Sequence, residues 1–394
     1  MSNRDVVVVG AARTAIGTFG GSLKDVPMTV LGTTVVRAAL QRSGAEAGDI
    51  GQVVMGNVIP TEPKDAYLSR VSAMDAGIPK ETPAFNVNRL CGSGLQAIIC
   101  AAQSIMLGDA DLAVGGGAES MSRGPYIAQA ARWGMRMGDG QMVDYMNGIL
   151  HDPWKRIHMG VTAENVAERY GVSRTAQDEL SMESQRRAAT AIDEGRFKDQ
   201  IVPVEVKSRK GVAYFDTDEH VRRDVTAGAL STMKPVFQEG GSVTAGNSSG
   251  INDGAAALVL AEAGKAAAMG LKPLARLVGY AHAGVEPEYM GIGPVPATRL
   301  VMQRTGLTIS EMDVIEANEA FAAQACAVAK ELGFDPGKLN PNGSGISLGH
   351  PVGATGAIIS VKAIYELHRT GGRYALVTMC IGGGQGIAAI YERL

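Results

Sequence analysis

Short apolar segments alternate with longer helix-like segments at both ends of this chain, and this order limits its possible folds most. Residues 6–9 are four valines, which predict a fully buried strand. Residues 28–43 predict a helix, because Pro27 suits a first turn and Gly44 suits an end. Further strands are predicted at 50–58, 84–87 and 111–114, and a buried helix at 95–107. This βαβα order predicts an α/β protein with a mostly parallel sheet covered on both faces.

The same order returns in the C-terminal third of the chain. Strands are predicted at 274–278, 314–316, 374–379 and 387–391, and helices at 319–332 and 354–367. In each half, a reactive residue in a glycine-rich turn precedes a helix that leads to a strand and a run of glycines. Cys91 has this place in the first half and His350 in the second. The self-similarity predicts a duplication with a pseudo-two-fold axis, which would bring Cys91 near His350.

The middle of the chain has a different character. Residues 119–243 contain both tryptophans and a charged helix predicted at 174–194, after which a buried-strand pattern resumes. A chain of 394 residues is expected to form two or three domains. We therefore predict an N-terminal half from 1–118 and 244–270, an inserted domain at 119–243, and a C-terminal half at 271–394.

Charge and composition restrict the possible partners. The formal net charge of -3 gives no basic excess for nucleic acid or an anionic membrane surface. We find no apolar run as long as a membrane span, and the N-terminus leads into the first strand without a secretory signal. The four cysteines lack CxxC spacing, which favours reduced thiols in the cytoplasm over a disulfide framework. No HExxH, paired CxxC or EF-hand pattern is present, so no metal is predicted.

Three glycine-rich segments each carry one reactive side chain. They are NRLCGSG around Cys91, GHPVGATG around His350 and MCIGGGQG around Cys380. Glycines let backbone N–H groups approach a substrate oxygen closely. Two thiols and one imidazole are the parts of an acyl-transfer site with a cysteine nucleophile. The glycine triplets at 115–117 and 382–384 lack a complete GxGxxG pattern, which argues against dinucleotide binding.

Two interpretations compete for Cys91. Most cysteines are small buried apolar residues. Here, however, glycines flank the thiol and an apolar helix begins within a few residues, and a helix N-terminus would stabilise a thiolate and lower the thiol pKa. We therefore predict that Cys91 is the nucleophile. Cys100 and Cys326 lie in apolar helices and are predicted to be core residues.

The other candidates also have two interpretations. His350 is either a satisfied loop histidine or a base for Cys91 that can also donate a hydrogen bond to a thioester oxygen. Cys380 is expected at the carboxyl end of a strand, where a second thiol can shuttle a proton. Asn318, in the segment NEAF, is either a helix N-cap or the holder of a water that acts as an oxyanion donor. For Asn318 the sequence favours neither alternative.

These motifs together resemble the thiolase family, the acetyl-CoA C-acyltransferases, over almost the whole chain. The shared segments include RTAIG at 13–17, GGGAESMS at 115–122, HMG at 158–160, TAGNSSG at 244–250, NDG at 252–254 and NEAF at 318–321. The chain is most similar to bacterial biosynthetic β-ketothiolases that supply polyhydroxyalkanoate synthesis, including the kind that accepts propionyl-CoA. The resemblance implies the thiolase fold, with two duplicated βαβαβαββ halves packed as layered α/β domains and an inserted loop domain.

The resemblance also implies a ping-pong mechanism. Cys91, activated by His350, would take the acyl group from an acyl-CoA. Cys380 would remove an α-proton from acetyl-CoA for a Claisen condensation, which reverses as thiolysis. One oxyanion hole would comprise His350 and a water held by Asn318, and the other the backbone N–H groups of Cys91 and Gly382.

By resemblance, CoA thioesters are the substrates, no cofactor is permanently bound, and CoA lies against the inserted domain. The implied contacts with CoA are His158, Arg222 and Ser249, with Leu150, Met159, Ala245, Met290, Ala320 and Phe321 lining the pantetheine channel. Arg222 belongs to the charged run 218–224, which by itself predicts a solvated face. The relatives are dimers or dimers of dimers, and residues 121–140 lie where they carry a tetramer-forming loop, so a homotetramer is implied.

Three alternatives remain open at this point. A degradative thiolase of β-oxidation would differ in chain-length preference. A decarboxylating ketoacyl synthase usually combines its cysteine with two histidines, or with histidine and asparagine, whereas the third reactive group here is Cys380. A thiolase-like acyl-CoA carrier would bind without turnover and would not need Cys380.

Overall fold

The computed structural model describes residues 4–208 and 211–394, and its centre is one ten-stranded mixed sheet. The strands are β1 Val6–Arg13, β2 Gly17–Thr18, β3 Ile50–Gly56, β4 Ala84–Val87, β5 Leu112–Ser120, β6 Tyr126–Ile127, β7 Val143–Asp144, β8 Val204–Ser208, β9 Gly211–Phe215, β10 Asn252–Glu262, β11 Ala275–Gly284, β12 Val314–Ala317, β13 Tyr374–Ile381 and β14 Gln385–Arg393. The α-helices are α1 Met28–Ser43, α2 Leu68–Asp75, α3 Ser93–Leu107, α4 Tyr145–Ile149, α5 Met159–Tyr170, α6 Arg174–Asp193, α7 Ala227–Ser231, α8 Ala263–Ala268, α9 Pro294–Thr305, α10 Ala322–Leu332, α11 Gly345–Leu348 and α12 Thr355–Thr370.

The prediction of a mostly parallel sheet is wrong. The strand order is β12-β13-β14-β11-β1-β10-β5-β3-β4, with β2 paired to β10. Parallel pairing joins β12 to β13, β3 to β4 and β3 to β5. The long central strands β1, β10, β11 and β14 pair antiparallel with their neighbours. A tight glycine turn at 382–384 reverses the chain between β13 and β14, so no crossover helix is needed there.

The pairing pattern has the predicted two-fold repeat. Outward from the contact of β1 with β11, one side continues through antiparallel β10, antiparallel β5 and parallel β3, and the other through antiparallel β14, antiparallel β13 and parallel β12. Helices α3 and α12 meet closely, since a Cβ at Gly94 would lie 2.8 Å from the Ala357 nitrogen and one at Gly356 2.4 Å from the Leu95 nitrogen. Because each helix follows one of the reactive turns, this contact brings the two turns together.

Strand β5 continues through the glycine triplet at 115–117, although the predicted strand ended at 114. A Cβ at these three positions would lie 2.6 Å from Ile98 Cα, 2.3 Å from the Ala256 oxygen and 2.3 Å from the Gly353 oxygen, respectively. The triplet is therefore a surface for close packing by α3, β10 and the His350 turn. The longer strand carries Glu119 into the interior.

One prediction about apolar runs needs correction. Residues Leu90–Leu107 have the length and hydropathy of a membrane span, and 61% of this stretch is buried. The stretch contains α3, which packs against β3, β5 and α12. Ile98 and Ile99 are both 0% exposed. A helix enclosed in this way is a core helix of a globular fold.

Candidate active site

The turn between β4 and α3 holds Cys91 on a constrained backbone. Leu90, directly before it, has φ +44°, in the left-handed region that residues other than glycine seldom adopt. The Leu90 N–H donates to Asn88 Oδ1 at 2.9 Å, and the Arg89 N–H donates to the Ser93 hydroxyl at 2.8 Å. Backbone strain persists only where the surroundings enforce it, and it concentrates at active sites. The turn therefore fixes the Cys91 thiol in place.

His350 is held both through its backbone and through its ring. Its N–H donates to Asn252 Oδ1 at 2.9 Å, and its Nδ1 lies 2.7 Å from Thr355 Oγ1. The single proton of that hydroxyl is donated to the Pro351 carbonyl at 2.9 Å. We therefore assign the ring proton to Nδ1, which donates to Thr355. This tautomer leaves Nε2 free to accept a proton.

Asn318 lies against the His350 ring. Its Nδ2 is 3.5 Å from both ring nitrogens, and its backbone N–H donates to the Thr378 carbonyl at 3.0 Å. Its Oδ1 is buried without a hydrogen-bond partner in the part of the chain that the structure describes. Helix α10 begins at Ala322 with Phe321 at its N-cap, so the N-cap interpretation of Asn318 is wrong. Its amide belongs instead to the surroundings of His350.

Cys380 is the second-last residue of β13 and is 1% exposed. The strand is two residues longer than predicted, because pairing with β14 continues as far as Ile381 and Gln385. Cys91 raises the pKa of Cys380 electrostatically, as a nearby second thiol does. The structure thus places both thiols in the same site.

Burial decides the protonation of the three reactive groups. It raises the pKa of Cys91 to about 11, although the backbone N–H groups of Gly382 and Cys91 lower it. Burial lowers the pKa of His350 to about 4 and raises the pKa of Cys380. The expected lowering of the Cys91 pKa by a helix N-terminus is therefore wrong for this structure. At neutral pH, the site holds two neutral thiols and a neutral imidazole.

One cavity of about 640 Å³ connects these groups with the proposed CoA contacts. Cys91, His350, Cys380 and Gly382 line it. So do all the residues that the sequence nominated for CoA, namely Leu150, His158, Met159, Arg222, Ala245, Ser249, Met290, Ala320 and Phe321. Asn318 contacts His350, which is one of the residues that line the cavity. The structure brings the nominated residues together, and their individual roles remain predictions.

Phe237 is a cavity residue that the sequence interpretation missed. Its ring stacks on His158 with centroids 4.6 Å apart and meets the Phe321 ring edge-on at 6.0 Å. Burial, followed by the nearby His151, lowers the pKa of His158 to about 4. A Cβ at Gly160 would lie 2.2 Å from the Phe237 ring. The glycine of the HMG segment is therefore the sequence feature that indicates close packing by a large side chain at this point.

Arg222 combines the two properties that the sequence offered as alternatives. Its side chain is exposed and also lines the cavity. Its backbone N–H donates to Gln185 Oε1 at 2.8 Å, which fixes the position of the chain. The neighbouring Arg223 instead forms an exposed ion pair with Asp193 at 2.8 Å. The charged run is therefore not a single solvated face, because Asp218 is buried, residues 219–222 line the cavity and Arg223 is exposed.

Two family models match nearly the whole chain. The model described as "Thiolase, N-terminal domain" matches residues 6–264, and "Thiolase, C-terminal domain" matches 271–393. The chain belongs to the thiolase family. It is 66% identical to the beta-ketothiolase BktB of Cupriavidus necator over 99% of this chain and 100% of that protein. It is 50% identical to the acetyl-CoA acetyltransferase of Chromobacterium violaceum, with the same coverage.

Solved thiolase structures confirm the predicted fold. The acetyl-CoA acetyltransferase of Bacillus anthracis has a TM-score of 0.97 and 46% identity, with each chain covered completely. The human mitochondrial 3-ketoacyl-CoA thiolase in complex with CoA has a TM-score of 0.96 and 42% identity, covering 99% of this chain and 98% of that one. The chain is therefore an enzyme of the thiolase type, which acts on CoA thioesters.

A buried ion pair ties one wall of this thiolase's cavity to β1. The Arg13 and Asp218 side chains are both 0% exposed and join through Nη1–Oδ1 at 2.8 Å and Nη2–Oδ2 at 2.9 Å. Asp218 Oδ1 also accepts the Ile16 N–H at 2.8 Å. The next residues, 219–222, line the cavity. The ion pair therefore determines the position of this wall.

The substitution Asp218→Asn is expected to lower the free energy of unfolding by about 3–5 kcal/mol, because it leaves the Arg13 charge buried and unpaired. It should also raise KM for CoA thioesters more than it lowers kcat, since residues 219–222 lose their anchor. Urea denaturation and steady-state kinetics measure the two effects. Asp193→Asn, which breaks the exposed pair with Arg223, is the matched control and should change neither. A wild-type denaturation midpoint for Asp218→Asn would contradict the prediction.

Proposed function

We propose that this thiolase catalyses the reversible Claisen condensation of acetyl-CoA with a short acyl-CoA, either acetyl-CoA or propionyl-CoA. The products are a 3-ketoacyl-CoA and free CoA. The observation that carries the proposal is the meeting of Cys91, His350 and Cys380 in one cavity. The 66% identity to a beta-ketothiolase supports a biosynthetic role, with polyhydroxyalkanoate synthesis as its pathway.

In the first half-reaction, Cys91 Sγ attacks the thioester carbonyl of an acyl-CoA while His350 Nε2 accepts the thiol proton. The bond between the acyl carbon and the CoA sulfur then breaks, and the CoA sulfur takes that proton. The enzyme is left with an acyl-Cys91 thioester and a neutral imidazole. Burial disfavours a standing thiolate–imidazolium pair, so we expect the proton to move as the new C–S bond forms.

In the second half-reaction, Cys380 gives its thiol proton to His350 Nε2, and the resulting thiolate takes an α-proton from acetyl-CoA. The resulting carbanion attacks the acyl-Cys91 carbonyl, and the new C–C bond forms as the C–S bond to Cys91 breaks. Cys91 leaves as a thiolate and recovers the proton held on His350 Nε2, so the site returns to its neutral state. Thiolysis is the same sequence in reverse.

Two oxyanions arise in these steps, and we assign a donor pair to each. The N–H groups of Gly382 and Cys91 are close enough to the Cys91 sulfur to lower its pKa, which supports their assignment to the acyl-Cys91 oxyanion. His350, which carries a proton on Nε2 during this step, and a water held by Asn318 are assigned to the enolate oxygen, and the 3.5 Å contact between His350 and Asn318 supports this. The loss of one such donor typically costs about 3 kcal/mol of transition-state stabilisation.

We assign CoA to the wall formed by the predicted insert. His158, Arg222 and Ser249 are proposed to contact it, and the six apolar lining residues to enclose the pantetheine. The insert near 119–243 is itself a proposal, supported by topology: the chain leaves the main sheet after β5 and returns in β10, the neighbour of β5. The two halves on either side are proposed with the boundaries given above.

We further propose a homotetramer in the cytoplasm. The arm around the β6–β7 pair exposes Trp133 at 85% and Met137 at 98%, and exposed apolar groups of this size favour association. Cys91 must remain a reduced thiol to react, which favours a reducing compartment. Light scattering of the purified protein measures the oligomeric state.

A degradative 3-ketoacyl-CoA thiolase is the second candidate. The human mitochondrial 3-ketoacyl-CoA thiolase is similar in structure, with a TM-score of 0.98 and 42% identity. The two functions differ in chain length, so kcat/KM for 3-ketobutyryl-CoA, 3-ketovaleryl-CoA and 3-ketooctanoyl-CoA separates them. We expect the two short substrates to react faster. A preference for the eight-carbon substrate would favour the degradative enzyme.

The decisive assay mixes the enzyme with acetoacetyl-CoA and CoA and follows the loss of the 3-ketoacyl thioester. We expect turnover with formation of acetyl-CoA. Binding without turnover would favour an acyl-CoA carrier. Condensation that requires a malonyl thioester would favour a decarboxylating synthase, and either result would contradict the proposal.

A further inference from the structure

A fully buried carboxylate lies beside the catalytic cysteine and takes no part in the steps above. Glu119 is the second-last residue of β5 and is 0% exposed. Its charge contributes to the raised pKa of Cys91, as expected for a close neighbour. Its two oxygens accept four hydrogen bonds, from Asn57 Nδ2 at 2.9 Å and from the N–H groups of Val58 at 3.0 Å, Ile59 at 3.1 Å and Gly353 at 2.8 Å.

The four donors favour the charged form of this carboxylate. Oε1 accepts from Asn57 and Ile59, and Oε2 accepts from Val58 and Gly353. A charged carboxylate only accepts hydrogen bonds, whereas a protonated acid would turn a donor toward N–H groups. Burial raises the pKa of Glu119 to about 8, which by itself favours the protonated acid at neutral pH, but since donors make all four hydrogen bonds to its oxygens we assign the charged form.

The donors come from both halves of the molecule. Residues 57–59 follow β3 in the N-terminal half, whereas Gly353 belongs to the turn of His350 in the C-terminal half. A Cβ at Gly353 would lie 2.4 Å from Glu119 Oε2, so the His350 turn can come this close only with glycine there. The carboxylate therefore connects the two halves at the point where their reactive residues meet.

We propose that Glu119 is a positioning residue, which as a carboxylate holds the His350 turn against the Cys91 side of the cavity. Its effect on turnover rests on the function proposed above. The bond to Gly353 fixes the His350 turn, and the bonds to 57–59 fix the wall on which the turn lies.

Two substitutions separate the effect of the position of this carboxylate from the effect of its charge. Glu119→Asp keeps the charge but withdraws it by one methylene, and Glu119→Gln keeps the length but removes the charge.

Both variants are expected to lower kcat about 10²-fold, which is the typical cost of displacing a catalytic group by about 1 Å. KM for CoA should change little, because Glu119 bonds none of the residues proposed to contact CoA. Single-turnover measurement of Cys91 acylation by acetyl-CoA, read by intact-protein mass, should be slowed as much as kcat.

The pH profile of Cys91 alkylation by iodoacetamide tests the charge and needs no thiolase turnover. The titratable groups that face Cys91 are Glu119 on β5, His350 in its turn and Cys380 on β13. Glu119→Gln removes a like charge, so the midpoint of the profile should move to lower pH. Glu119→Asp keeps the charge, so its midpoint should stay near the wild-type value. A purely structural role for Glu119 would move both midpoints alike or neither.

Glu366→Gln is the matched control. Glu366 is 3% exposed, accepts hydrogen bonds from Asn342 and Arg369, and lies near the end of α12, away from the reactive turns. We expect it to lower stability and to leave kcat and the alkylation midpoint unchanged. Wild-type kcat in either Glu119 variant, or an unmoved midpoint in Glu119→Gln, would overturn the proposal. If Glu119→Gln does not fold, kcat of Glu119→Asp decides. If the wild-type enzyme does not catalyse thiolysis, the proposed function is wrong, and the alkylation midpoint still tests the proposed role of Glu119.

Discussion

The variant Cys91→Ala is expected to lose thiolysis and condensation by about 10⁴-fold or more, the scale seen when a covalent nucleophile is removed. Without the sulfur, no covalent acyl-enzyme can form, and His350 and Cys380 then have no intermediate to act on. Intact-protein mass after incubation with acetyl-CoA should show acylation of the wild type and none of the variant. Steady-state thiolysis of acetoacetyl-CoA gives the size of the loss.

The matched control for this prediction is Cys100→Ala. Cys100 is a half-buried thiol on α3, and it accepts a hydrogen bond from Gln96 at 3.2 Å. It shares the helix that follows Cys91 but does not line the cavity. We expect nearly wild-type activity and the usual acyl adduct. Full activity of Cys91→Ala, or an adduct that maps to another cysteine, would contradict the assigned role of Cys91.

The sequence was sufficient to locate helices α1, α3, α6, α10 and α12 and most strands of the main sheet, because apolar patterns and glycine or proline boundaries mark them. It was also sufficient to nominate Cys91, His350 and Cys380, since a reactive side chain between glycines is a local signal. Their meeting in one cavity follows from the duplication, because equivalent turns of two related halves face each other. For these features, neighbouring residues in the sequence contain the necessary information.

The direction of the strands and the protonation of the site could not be predicted in this way. Strand direction depends on which strand becomes the neighbour, and β10 returns to β5 only after the long segment that intervenes. The pKa of Cys91 depends on how completely other elements cover it. The local effect of a helix N-terminus gave the wrong sign, because burial outweighs it in the folded protein.

Local sequence patterns also could not identify residues that act by positioning other residues. Glu119 lies beyond the end of the strand that the sequence predicts at 111–114, and its four donors are supplied by 57–59 and by Gly353, which are distant in the chain. Phe237 occupies a stretch with no periodic pattern, and its contacts with the His158 and Phe321 rings give it a place in the site. Such positions become visible once the halves are packed together.

The variant Cys380→Ala is expected to separate the two half-reactions. Turnover should fall about 10²- to 10⁴-fold, the usual contribution of a general acid–base group. Acylation of Cys91 by acetyl-CoA should persist, because that step uses His350, so the acyl-enzyme should accumulate. Intact-protein mass during turnover measures the accumulation. Cys326→Ala, a half-buried thiol on α10 outside the cavity, is the control and should show neither effect.

The electrostatics of the two thiols also predict an order of events that this experiment can follow. Burial is the main cause of the raised pKa of Cys380, and Cys91 adds to it. Acylation converts Cys91 into a thioester that cannot ionise, so Cys380 no longer titrates against a second thiolate and its apparent pKa should fall when the acyl-enzyme forms. Because free Cys91 is a neutral thiol at neutral pH, the difference should appear at alkaline pH, where Cys91 ionises and alkylation of Cys380 should be faster in the acetylated enzyme than in the free enzyme. If Cys380→Ala abolishes acylation of Cys91, Cys380 is not confined to the second half-reaction, and if alkylation of Cys380 does not respond to acylation, the two thiols are not electrostatically coupled.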